Sequence, residues 1–69
     1  MRIFRNEQIK LTVEIKGDVV SVYRDWPISI IFPEGRKRMF QKNLRELKNV
    51  PTDEAGYIEH LESIGFREV

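Results

Sequence analysis

The feature that most constrains the fold is the regular alternation of apolar and polar residues over positions 9–16. Apolar residues at every second position are typical of a strand with one buried face. Gly17 and Asp18 follow, and a second run rich in valine covers residues 19–25. A Gly-Asp pair between two such runs predicts a two-residue hairpin turn, because glycine readily adopts the positive φ that this turn requires.

This hairpin also predicts a register, because apolar residues then meet on one face and opposite charges meet on the other. The pairs expected on the apolar face are Ile15–Val20, Val13–Val22 and Ile9–Trp26, and those on the polar face are Thr12–Tyr23 and Lys10–Asp25. The pattern is broken only where Leu11 faces Arg24.

The middle of the chain allows two interpretations. Residues 28–32 are almost entirely apolar and predict a third strand, which a Pro-Glu-Gly turn at 33–35 would end. Residues 37–50 have helical amphipathicity, but three cations at 36–38 would crowd the positive end of the helix dipole. We therefore favour a fourth strand over 36–40 and a helix over 41–49, while helix over 36–40 stays open.

The last element is predicted to be a helix over residues 53–64. Thr52 is placed to cap it, and Gly65 is placed to end it in the left-handed conformation, with Phe66 folding back toward Leu61. Residues 66–69 are left open between a short strand and a tail.

Together these elements predict a single α+β domain over residues 1–69. An antiparallel sheet of three to four strands (about 3–40) is followed by two short helices (about 41–49 and 53–64). A chain of 69 residues without cysteine has no disulfide to support a small core. We therefore expect marginal stability, or a partner that completes the core.

The formal net charge of +1 hides an uneven distribution, because residues 1–35 are neutral, residues 36–50 carry +5 and residues 51–69 carry −4. Whether the basic and acidic segments neutralise each other is open at this stage. If they do not, the basic segment is a candidate for nucleic-acid binding through phosphate contacts. The residues predicted for that role are Arg36, Lys37, Arg38, Lys42 and Arg45.

Two further residues, Trp26 and Ile31, are candidates for a protein interface. Tryptophan is enriched at interface hot spots, and Ile31 falls on the second face of an apolar strand, which something must cover. We therefore hypothesise a small non-catalytic binding module whose partner is another protein or a second copy of itself. Nucleic-acid binding through residues 36–48 is the alternative.

The sequence favours no enzymatic function, cofactor or small-molecule substrate. His60 and Ser63 lie three residues apart without an orienting third group, and Glu59 and His60 point in different directions on a helix. We therefore predict no catalytic and no metal-binding residues. No apolar run approaches the length of a membrane span, and the charged N-terminus is unlike a signal peptide. The lack of cysteine leads us to expect a cytoplasmic protein.

Overall fold

A computed structural model describes residues 1–25 and 36–69, with only the backbone of Arg36. These residues form one antiparallel sheet, a short 3-10 helix at Leu44–Glu46 and one α-helix. The strands are β1 (Arg2–Asn6), β2 (Leu11–Lys16), β3 (Val19–Asp25), β4 (Arg36–Asn43) and β5 (Arg67–Glu68), and the helix is α1 (Glu54–Ser63). Their order across the sheet is β4-β3-β2-β1-β5. The α+β class is confirmed, with more strands and fewer helices than predicted.

The β2–β3 hairpin has the predicted register, with Ile15 opposite Val20 and Val13 opposite Val22. The predicted strand start at Ile9 is wrong, because Lys10 has a φ of 58° and β2 begins only at Leu11. The predicted Lys10–Asp25 charge pair is also replaced. The Asp25 backbone N–H donates to the Lys10 carbonyl at 2.7 Å, while the Asp25 carboxylate accepts from the Thr12 hydroxyl at 3.1 Å.

The strand predicted at 36–40 is confirmed and runs on to Asn43, so the helix predicted over 41–49 is wrong. β3 extends to Val19 and offers backbone partners as far as Asn43, and the Leu44 N–H then donates to the Asp18 carbonyl at 2.7 Å. Pairing with β3 outweighs the amphipathic pattern, because a helix of about nine residues is marginal without strong packing. Only the 3-10 helix remains, and the chain is extended again at Leu47.

The predicted ending of α1 is confirmed, whereas its predicted cap is wrong. The Asp53 carboxylate, not Thr52, accepts the Gly56 N–H at 2.8 Å. Gly65 has a φ of 104°, and its N–H donates to the Glu62 carbonyl at 3.3 Å. The Phe66 N–H donates to the Leu61 carbonyl at 2.9 Å. These two bonds form a Schellman motif, which leads the chain from α1 into β5.

The core lies between one face of the sheet, here called the helix-side face, and α1. Phe4 of β1 is fully buried there, and Tyr57, Ile58 and Leu61 are the buried side chains of α1. The other buried apolar residues are Val13, Ile15, Val20, Val22, Leu44 and Phe66. α1 therefore covers part of a sheet that is wider than the helix, and the covering ends before the edge of β4.

Several predictions fall on residues outside the described ranges. They are the strand at 28–32, the turn at 33–35, the Ile9–Trp26 pair and the interface role of Trp26 and Ile31. In the ranges 1–25 and 36–69, no helix combines the length and apolarity that a membrane span requires.

Candidate binding surface

β4 is the end strand among the strands that the structure describes, with β3 as its neighbour on one side. Its residues 37–42 are all exposed, and they include the cations Lys37, Arg38 and Lys42. Arg45 and Lys48, just beyond the strand, are exposed as well. The structure therefore brings four of the five predicted nucleic-acid-binding side chains to one edge, while the side chain of Arg36 lies outside the described residues.

Cross-strand partners show which way the β4 side chains point, because opposed residues share a face. Phe40 lies opposite Val22 and Lys42 opposite the core residue Val20, so both are on the helix-side face. The Lys42 ammonium lies 5.7 Å from the centre of the Phe40 ring, within range of a cation–π interaction.

A β-bulge between Val22 and Tyr23 changes the alternation along β4. Met39 is the extra residue, and Arg38 is opposite Tyr23 on the second face. Lys37, opposite Arg24, returns to the helix-side face. The bulge therefore decides that Lys37 shares the helix-side face with Phe40 while Arg38 lies on the second face.

Among the described side chains, no ion pair joins a carboxylate of α1 to a cation of the basic edge. Among the described side chains, the ion pairs within 4.0 Å are Arg2–Glu68, Arg5–Glu7 and Arg5–Asp25. None of these pairs includes a cation of β4 or of the segment that follows it. The exposed cations Lys37, Arg38 and Lys42 therefore lie outside these three pairs, and the Glu46 carboxylate at the end of β4 accepts the Asn43 N–H at 3.2 Å.

Two carboxylates of α1 act on Arg2 of β1. Hydrogen bonds to Glu68 raise the pKa of Arg2, and the charges of Glu54 and Glu62 raise it further. The bonds from Arg2 also lower the pKa of Glu68, with donor–acceptor distances of 2.7 and 2.9 Å. β1 lies away from β4 in the strand order, so Glu54 and Glu62 act on a cation outside the basic edge.

A groove of about 330 Å³ lies on the helix-side face between the end of α1 and the sheet. Its buried lining includes Val13, Val22 and Leu61, and burial raises the pKa of the neighbouring Tyr57 hydroxyl. Three of its other apolar side chains are exposed in part: Ile9 by 49%, Phe40 by 38% and Ile64 by 52%. The groove therefore reaches the basic edge at Phe40.

Among the described residues, the contacts of His60 and Ser63 do not join the Ser63 hydroxyl to the His60 ring. The Ser63 hydroxyl donates to the backbone carbonyl of His60 at 2.6 Å, and the His60 ring is stacked on Tyr57 with centroids 6.4 Å apart. Within the described residues, no group of three or more His, Asp or Glu side chains is arranged to hold a metal ion.

Sequence reasoning found the basic segment but missed the groove. In the alternative helix over 37–50, Met39 and Phe40 would lie on the apolar face, whereas the structure exposes Met39 by 50% and puts Phe40 between groove and edge. The signal available in the sequence was a strand over 36–43 with four cations near one aromatic residue.

No family model, curated protein or solved structure matches this chain.

Proposed function

We propose that this chain is a small non-catalytic binding module that takes up an extended acidic segment of another protein along β4. The observation that supports it is the exposed, cation-rich edge of β4, which pairs with β3 on one side and has no strand on the other among the described residues. An open edge presents backbone N–H and C=O groups to which an extended peptide can add as a further strand.

The charges of β4 indicate which kind of segment would pair with this strand. β4 contains four cations and no carboxylate in its 8 residues, RKRMFQKN. If two copies paired through β4, the cations of both strands would be brought together, and like charges in opposed positions destabilise a sheet. An acidic segment makes the same backbone bonds with favourable electrostatics, which also speeds association. The charge of β4 therefore favours a different, acidic protein over a second copy.

Nucleic acid is the second candidate, and one observation favours it. Phe40 is partly exposed beside Lys42, and single-strand binders combine such a stacking surface with cations that follow the backbone. The acidic residues of α1 and the net charge of only +1 reduce the positive electrostatic field that would attract a nucleic acid.

A titration with fluorescent ligands tests the proposal. One ligand is an acidic peptide of 8 residues, the length of β4, with alternating Glu and Thr. The other is a short single-stranded RNA. At about 50 mM salt we expect the peptide to bind, and Lys37→Glu with Lys42→Glu to weaken it about tenfold or more, because two attractions become repulsions.

Lys10→Glu with Lys16→Glu is the matched control, because both residues are exposed and the net charge changes equally. It should weaken peptide binding by less than about threefold, since screening limits distant charges. Equal losses in the two double variants would show general attraction and overturn the proposal. Tighter binding of RNA than of peptide, with a steep loss on adding salt, would replace it with the second candidate.

A further inference from the structure

We infer that the acidic segment carries one large apolar side chain between its carboxylates, and that this side chain enters the groove beside Phe40. The inference rests on the proposed function, because it specifies the peptide that the same edge accepts.

Phe40 links the two parts of the site. It belongs to the edge strand, and it also lines the groove of about 330 Å³ on the helix-side face. The groove wall is apolar at this point, because Phe40 is exposed by 38% and the buried Val22 lies opposite it on β3. A side chain that projects from a strand added to β4 at the position of Phe40 meets this apolar surface directly.

The alternation of a strand specifies the neighbours of that side chain. Residues of an added strand share a face with the β4 residues opposite them. The residue opposite Phe40 therefore points toward the groove, and the next on that face meets Lys42. Beyond the bulge the same face presents Lys37, while Arg38 is presented on the second face.

This arrangement is complementary to one kind of segment. The apolar position is surrounded by cations on both sides along the strand and on both faces of the sheet. A purely apolar segment would leave these cations without partners, and a purely acidic one would bring a carboxylate to an apolar wall, which is unfavourable. The complementary segment therefore alternates carboxylates with a single large apolar residue at its centre.

Two peptides of 8 residues, matched in length to β4, test the inference. Both are rich in glutamate and they differ only at one central position, which is leucine in the first and serine in the second. We expect the leucine peptide to bind wild-type protein about tenfold more tightly, because part of an apolar side chain is removed from water.

Two variants show where that advantage originates. In Phe40→Ser the advantage of leucine over serine should fall below about threefold, because the apolar surface that leucine contacts is removed. Met39→Ser is the matched control, because Met39 is an exposed apolar neighbour on β4 that is absent from the groove lining, and it should keep the full advantage.

The two proposals fail in different ways. If both peptides bind but leucine gives no advantage, or if the advantage survives Phe40→Ser, the groove inference is overturned and the proposed function stands. If neither peptide binds, the proposed function is overturned and the inference with it.

Discussion

Replacing Phe4 by alanine is expected to lower the free energy of unfolding by about 3–5 kcal/mol, which is the usual cost of truncating a buried aromatic residue. Phe4 has 0% exposure and lies opposite Val13, with β2 on one side of its strand and β5 on the other. A single core in a chain this short rarely supplies more than about 3–5 kcal/mol. The variant should therefore be largely unfolded at room temperature, as urea titrations followed by circular dichroism would show.

Two further variants make this result interpretable. Phe4→Leu keeps most of the volume and should cost less than about 1.5 kcal/mol, so that its unfolding transition stays measurable. Met39→Ala, at a residue with 50% exposure, should change stability by less than about 1 kcal/mol. A Phe4→Ala protein as stable as wild type would contradict the position of Phe4 in the core.

Asn6 is the second residue with a large expected effect, because it joins β1 to the end of α1. It has only 3% exposure, and its Nδ2 donates to the Ile64 carbonyl at 3.1 Å. Its Oδ1 accepts the Gln8 N–H at 3.0 Å and the Ile9 N–H at 3.4 Å. Asn6→Ala leaves these groups without their partner, and we expect a loss of about 1–3 kcal/mol in urea titrations.

Asn6→Asp adds a pH dependence that identifies the bond to Ile64. The ionised carboxyl cannot donate to the carbonyl and is buried, so folding should raise its pKa above the ordinary value of about 3.9. Stability that depends on the protonated form is present below the unfolded pKa and is lost as pH rises through the folded pKa. The deficit relative to wild type should therefore grow between about pH 4 and pH 7.

Asn6→Ala is the control for this pH dependence, because it introduces no titratable group and its deficit should be nearly constant over the same range. A flat deficit in Asn6→Asp as well would contradict the hydrogen bond to the Ile64 carbonyl. A loss below about 0.5 kcal/mol in Asn6→Ala would contradict the role of Asn6 as a buried link.

The β2–β3 hairpin and the ending of α1 could be predicted because local residues specify them. Alternation in two adjacent runs allows one register around Gly17, which has a φ of 59°, and a one-residue shift would reverse the faces. Gly65 similarly relieves the strain of a left-handed residue at the end of α1. Neither feature depends on distant parts of the chain.

The segment 41–49 could not be predicted in the same way, because its sequence permits a helix and its structure depends on β3. Lys42 and Asn43 pair with Val20 and Val19, which lie more than twenty positions earlier. Leu44 reaches the core from a 3-10 helix as well as it would from an α-helix. The long-range pairing with β3 favours the strand over the helix in this segment, and local periodicity carries no information about that pairing.

The candidate site was predicted in its charges but not in its form. Counting charges by segment identified Arg36, Lys37, Arg38, Lys42 and Arg45, but whether the carboxylates of α1 pair with them depends on side-chain positions that the sequence does not give. The groove exists because α1 covers only part of the sheet. The position of α1 depends on the packing of Tyr57 and Leu61, which no sequence motif specifies. A basic edge beside an apolar groove emerges only once β4 is a strand.

Amide hydrogen exchange of β4, measured residue by residue by NMR with and without the acidic peptide, tests the central claim most directly. If the peptide adds to this edge, the β4 amides that do not donate to β3 should exchange about tenfold or more slowly in the complex, because they become hydrogen-bonded. The amides of β5, at the opposite edge, should exchange as before. Unchanged exchange along β4 at saturating peptide, or protection confined to β5, would contradict the account.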